Sequence, residues 1–274
     1  MIRETVALTK RELLRLARNP QALATSLLLP ILYLLLFGQG FNLGARLPAA
    51  EVEPLILGSP TYFSYFAAGM AGFVAVTATL FIGANVIFDK LFGILKRIAS
   101  TPASATSIFA ARLIAGSIQP IGLAFLVLGL AVGLGHLGLS GLEVTAAVGP
   151  VGAGEIVLAV VILSLMFASL FLAIGFSIEQ PQTYFAVVNA INLPVLLTSA
   201  ALYPWGFMPS WLQNIAAYNP VTLAVEVIRI NLFAAAPAAY PHPAWFYLLG
   251  LLGWAVAMGA LATALARRAL GPRH

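Results

Sequence analysis

The chain has no cysteine. Disulfides, a thiolate nucleophile and any cysteine-based metal site are therefore excluded. Charge is nearly as scarce. Of 274 residues, 8% are Asp, Glu, Lys or Arg, and 61% are hydrophobic. A soluble domain carries about 25% charged residues, so the composition is that of a polytopic membrane protein. The only histidines, His136, His242 and His274, lie at or beyond the ends of the apolar runs, and neither HExxH nor GxSxG occurs. That counts against an intramembrane hydrolase. Lysine occurs only at Lys10, Lys90 and Lys96, never in GxxxxGK[ST], so no phosphate-cradling loop is present. No Asp, Glu, Lys or His falls in the middle of an apolar run. An ion-coupled secondary transporter usually places one there, which weakens that alternative and leaves it open.

What is present is apolar sequence of membrane length. A hydrocarbon core of about 30 Å needs about 20 helical residues. Six segments qualify: 21–41, 62–87, 106–135, 156–178, 183–202 and 244–266. They are apolar throughout, without the alternation of barrel strands. The third is expected to start after Thr101-Pro102 and the fifth after Gln180-Pro181, with proline in the first turn. Pro30, Pro120 and Pro194 lie inside spans, where a membrane bundle tolerates them.

Lysine and arginine orient the spans. With both termini cytoplasmic, Arg3, Lys10, Arg11, Arg15, Arg18, Lys90, Lys96, Arg97, Arg112, Arg267, Arg268 and Arg273 lie inside. Only Arg46 and Arg229 lie outside. The basic balance of the chain thus follows from topology, and no basic–aromatic pattern for nucleic acid accompanies it. Residues 1–18 form a basic amphipathic stretch whose Lys10, Arg11, Arg15 and Arg18 suit lipid phosphates or a partner. No compact cleavage site follows, so a cleaved signal peptide is not expected.

Two connecting segments carry more than a loop needs. Residues 86–101 read as one amphipathic helix on the cytoplasmic surface. Ile87, Leu91, Ile94 and Ile98 recur on its apolar side, with Phe88, Phe92 and Leu95. Asp89, Gly93, Lys96, Arg97 and Ser100 lie opposite. It is either a docking element or an interfacial anchor. Residues 199–233 are apolar and aromatic but broken by Pro204, Gly206, Pro209 and Pro220. Such backbone is tolerated at membrane depth only against protein or a cavity, so 203–240 is expected to dip in from outside and return. Trp205, Trp211 and Tyr218 suit an interface. Asn219-Pro220 caps a last helix, 220–233, on which Glu226 and Arg229 are spaced to pair, as a gate at the exit or as a brace. Asn85, Gln119, Asn189 and Asn192 lie within spans and contact either substrate or neighbouring helices.

These motifs, in this order, resemble the ABC-2 type permeases, the membrane subunits of ATP-binding-cassette exporters, and most nearly the drug and lipo-oligosaccharide exporter branch. LTKRELLRLARNPQALATSLLLPILYLLLFG from Leu8 is similar to the family's interface helix and first span. YFAAGMAG from Tyr65 is similar to the start of the second span, and FDKLFGILKRIASTPASA from Phe88 to the coupling segment. YPWGFMPSWLQNIAAYNPVTLAVEVIR from Tyr203 is similar to the outer re-entrant motif. Where many members carry a glutamate shortly after the coupling glycine, this chain has Ile94-Leu95-Lys96-Arg97.

The resemblance implies a single transmembrane domain over 1–274, working as a homodimer with two separate ATPase subunits that bind the ATP. The chain itself would need no cofactor and would not be an enzyme. Coupling would rest on Asp89, Gly93, Lys96 and Arg97, with Glu179 in the turn 177–182 as a second contact. Tyr203, Pro204, Pro209, Trp211, Asn219, Pro220, Glu226 and Arg229 would shape the re-entrant exit. Asn85, Asn189 and Asn192 would be candidates for the path between protomers, along the second and fifth spans. The expected location is the cytoplasmic membrane of a prokaryote. The resemblance assigns no role to the Gly-rich outer loop around 136–154.

Overall fold

A computed structural model of the protein describes residues 6, 9–10, 14, 20–38, 40, 52, 55–99, 105–137 and 139–270. The side chains of residues 20–26, 96, 98–99, 105–106 and 266–270 are outside that description. Among the described residues, all regular structure is helical. Helix α1 spans Pro20–Tyr33 and passes into a π-helical turn, Leu34–Gly38. Then follow α2 (Tyr62–Leu91), α3 (Ile94–Ala99), α4 (Ala105–His136), α5 (Pro150–Ser177) and α6 (Pro181–Leu197). A 3₁₀ turn at Trp205–Phe207 leads to α7 (Ser210–Ala216), α8 (Pro220–Leu232), α9 (Ala236–Ala239) and α10 (Ala244–Leu270).

The helix starts follow local chemistry. Thr61 caps α2, its Oγ1 accepting from Ser64 N at 3.1 Å. Pro150, Pro181 and Pro220 open α5, α6 and α8, where a missing N–H costs no helical bond. Asn219 adds a cap on α8, its Oδ1 accepting from Val221 N at 2.9 Å. The helices continue through Pro30, Pro120 and Pro194. Residues 101–104, and with them the expected Thr101-Pro102 start, lie outside the described residues.

Helices α2 and α5 form the centre. Against α2 pack α4, α5, α6 and α8; against α5 pack α2, α4, α8 and α10. The two central helices cross where both are glycine: a Cβ on Gly175 would lie 2.5 Å from Gly83 O. No side chain fits there, which lets the backbones approach as small residues do in membrane bundles. Tyr184 fastens α6 to the same level, its hydroxyl donating to Leu80 O at 2.6 Å.

Four helical stretches are long and apolar enough to cross a membrane: Tyr62–Leu91, Ser107–His136, Pro150–Ser177 and Ala244–Leu265. Of the two remaining expected spans, α6 has 17 residues, and the first is helical over Pro20–Tyr33 and Leu34–Gly38, with the apolar stretch Leu27–Gly38 among its described side chains.

The single helix expected over 86–101 is not formed. Residues 86–91 are the last turns of α2, with Val86, Ile87 and Asp89 buried in the bundle. The chain then breaks at Phe92–Gly93. Phe92 N donates to Phe88 O at 2.9 Å and Gly93 N to Lys90 O at 3.1 Å, and Gly93 sits at φ 68°. A left-handed glycine closing the last carbonyls is a helix stop. Apolar periodicity runs through the break because both halves turn an apolar side to the bundle, so period alone does not reveal it.

The segment 203–240 is broken as its prolines demand. α8 runs antiparallel to α2. Gly72 faces Val221 and Val225, Tyr65 faces Arg229, and Gly58 faces Ala235 and Ala236. The α7–α8 turn is the far point of the excursion. There Trp254 Nε1 donates to Tyr218 O at 2.8 Å, about 15 Å along α10 from Ala244 at 1.5 Å per residue. The 139–149 loop closes over the other end of α8, with Thr145 N and Ala146 N both donating to Leu232 O at 3.1 Å. Ala234 N returns a bond to Thr145 Oγ1 at 2.9 Å, and Glu143 N donates to Ser64 Oγ at 3.1 Å.

Candidate functional site: charged clusters at the two ends of the bundle

Polar chemistry is gathered at opposite ends of α2. At the end near the break, Asp89 and Lys90 stand side by side in sequence and point to different helices. Asp89 Oδ2 meets Arg112 Nη2 of α4 at 2.6 Å, with the side chains only 1% and 6% exposed. Lys90 Nζ donates to three carbonyls at the end of α5: Gly175 at 3.0 Å, Phe176 at 2.6 Å and Ile178 at 2.9 Å. A helix leaves its last carbonyls without intrahelical partners, and a cation there satisfies them and opposes the helix dipole.

This corrects the expectation for Asp89. Its carboxylate was placed on an exposed polar face, yet it is buried against Arg112, because α2 stays in the bundle to Leu91. The exposed elements at the break are Leu91 at 59%, Phe92 at 75%, and Arg97. Gly93 has no heavy atom within 4 Å of an added Cβ, so its importance here is its backbone angle, not the space above it. The Lys96 side chain lies outside the described residues. Glu179 is exposed in the short connection between α5 and α6. Lys10 is helical and exposed; Arg11, Arg15 and Arg18 lie outside the described residues.

At the other end Arg229 is fully buried and fans its donors across the broken backbone at 200–201 and the first turn of α2. Nη1 donates to Ala200 O at 3.0 Å; Nη2 donates to Tyr65 O at 2.9 Å and to Ala201 O at 3.4 Å. Its guanidinium carbon lies 3.4 Å from the centre of the Tyr65 ring. The Tyr65 hydroxyl donates in turn to Ala200 O at 3.1 Å and Tyr203 O at 3.0 Å. The expected Glu226–Arg229 pair is not made. Glu226 is buried with Oε2 lacking a hydrogen-bond partner. The reason is geometric: α6 ends at Leu197 and leaves carbonyls at 200–201 uncovered, and a planar guanidinium is the side chain that can cover several at once.

The remaining candidates are distributed around these clusters. Pro204 and Pro220 are buried; Tyr203, Pro209 and Trp211 are exposed. Asn219 is buried and also donates from Nδ2 to Val195 O at 2.7 Å and Thr198 Oγ1 at 3.1 Å, tying α8 to the end of α6. Asn85 and Asn189 are exposed, whereas Asn192 is buried with Oδ1 unpartnered. No hydrogen bond joins the three. Sequence reading missed Arg112 and Lys90 as structural partners. Asp89 and Arg112 stand at comparable distances either side of Ser100-Thr101, and a helical hairpin brings such residues level. That symmetry was the available signal.

Among the described residues, no group of three His, Cys, Asp or Glu is placed to hold a metal ion. The arrangement defines an all-helical, polytopic membrane protein whose buried charge fastens helices together. The chain belongs to the ABC-2 type transporter family, whose model matches residues 3–233. It is a membrane transport component of an ABC transporter, not the ATPase. A protein named as transport permease ycf38 from Porphyra purpurea is 31% identical over 232 residues, covering 84% of this chain and 74% of the relative. Its namesake from Cyanophora paradoxa is 29% identical over 249 residues, covering 90% and 77%. A protein from Mycobacterium tuberculosis (strain ATCC 25618 / H37Rv) named as doxorubicin resistance ABC transporter permease DrrC is 23% identical over 270 residues, covering 92% and 83%.

Proposed function

We propose that the chain is the permease subunit of an ATP-driven exporter. A separate ATPase would power it, and two copies would form the path out across the cytoplasmic membrane of a prokaryote. The cargo would be amphipathic, lipid-linked or drug-like. The family match over residues 3–233 carries this reading, and the resistance named for one relative supports the cargo class.

In this reading all six apolar segments cross the membrane, and both termini are cytoplasmic. Residues 203–240 enter from outside and return. The antiparallel packing of α8 on α2, and the far point of the excursion beside Trp254, support a dip to roughly half of a core about 30 Å thick. Arg229 then braces the broken backbone nearer the outer face, beside Tyr65 at the start of α2. The exposed Leu91, Phe92 and Arg97 offer the ATPase an apolar knob with a cation beside it. Its closure on ATP pushes the α2–α3 break and the α5–α6 connection, and the permease pair opens outward.

Phe92→Asp places a charge on the knob, outside the packed core. The variant should insert and fold as the parent does, but should lose the ATPase during co-purification. Undiminished co-purification would remove the knob from the docking surface. ATP-independent export driven by a proton or sodium gradient would favour the ion-coupled carrier.

A further inference from the structure

Three hydrogen bonds from one ammonium are more than a helix cap needs. Lys90 is the penultimate residue of α2, and all three acceptors are in the last turn of α5 and the residue that follows it. The two helices are already in backbone contact at Gly83 and Gly175. A second fixed point at Lys90 removes the remaining freedom of rotation about that crossing. One residue earlier, Asp89 fixes α4 to α2 through Arg112. Three helices are thus joined at one level, immediately before the chain turns at Gly93.

The elements that emerge from this level are the two proposed contacts with the ATPase: the break at 91–97 and the connection at 178–182. We propose that Lys90 is a positioning residue for transport, clamping these two contacts into one rigid body. A displacement received at either contact then reaches α2 and α5 together. Both helices pack on α8, so the same displacement is delivered to the segment braced by Arg229 at the far end. This inference rests on the exporter reading for the identity of the push, but the clamp itself is a property of this chain.

The absence of native cysteine makes the test clean. Phe88→Cys and Thr183→Cys, exposed positions just outside the two contacts, are spin-labelled in the full permease–ATPase complex in lipid, and their separation is measured without nucleotide and with ATP trapped. The clamp predicts one narrow distance that nucleotide does not change. Lys90→Met keeps the length of the side chain and loses its donors. In that variant the distance should broaden and become nucleotide-dependent, because one contact now moves without the other. Lys90→Arg retains donors and should restore the narrow, invariant distance. A Lys90 that merely capped α5 would leave the Lys90→Met distance independent of nucleotide, and that result overturns the proposal. So does a parent distance that shifts with nucleotide, which decides the matter even where Lys90→Met fails to fold. A parent chain that retains no ABC ATPase sinks the exporter reading instead. The clamp is then judged on the permease alone, where equal distance widths for parent and Lys90→Met would reject it.

Discussion

Asp89 and Arg112 meet at 2.6 Å with almost no exposed surface. Removing one partner of such a pair strands the other charge and costs about 3–5 kcal/mol, whereas replacing both by apolar groups is often close to neutral. Arg112→Met and Asp89→Leu should each lower the Tm of the detergent-solubilised protein sharply, and the double variant should recover most of the loss. Additive losses would show that the two side chains do not depend on each other. Arg229 makes a different demand. Lysine preserves its charge but not a planar fork that reaches Tyr65, Ala200 and Ala201 together. Arg229→Lys should therefore destabilise nearly as much as Arg229→Met. Tyr65→Phe removes hydroxyl bonds worth about 1 kcal/mol each and keeps the ring, so it should cost less than either. A tolerated Arg229→Lys, seen as an unchanged melting curve, would count against the brace.

At the scale of the helix, the break after α2 is set by a backbone angle. Gly93 lies at φ 68° with open space around its Cα, so alanine there meets no atom but adopts a disfavoured conformation. Gly93→Ala should cost about 1 kcal/mol, read as a small drop in Tm. A larger drop would mean that the break is packed more tightly than its geometry indicates. The proline-led starts of α6 and α8 were legible in the sequence, because proline at the first helical turn is a local signal. The break at 92–93 was not, since apolar spacing carries on across it. The inward turn of Asp89 depends on Arg112, a residue of another helix, and spacing within 86–101 holds no information about it. Glu226 and Arg229 had the right spacing to pair. What overrode it was the set of uncovered carbonyls beyond α6, visible only once the end of α6 is placed beside α8. Single cysteines at the exposed Ser210 and Ala239 test the proposed excursion of this segment. An impermeant thiol reagent applied to intact cells should reach both from outside. Labelling of Ser210 from outside and of Ala239 only from inside would make α8 a crossing helix.

Across the whole molecule, the charged clusters lie at two levels, Lys90–Asp89–Arg112 and Arg229 with the buried Glu226 one turn away, and α2 runs between them. The core between them is mostly apolar or small, with Thr79 and Tyr184 among its polar exceptions. Composition and charge asymmetry reached the membrane class, and four motifs in order reached the family; the fastening of one end to the other required the fold. The central claim is that this permease exports only when a separate ATPase hydrolyses ATP. Inverted membrane vesicles containing the permease and its co-purifying ATPase provide the direct measurement, with accumulation of doxorubicin and of a fluorescent lipid followed on addition of ATP. The account predicts ATP-dependent accumulation that disappears when the catalytic glutamate of the ATPase is replaced by glutamine. Accumulation that survives that substitution, or that follows an imposed ion gradient without ATP, would contradict it.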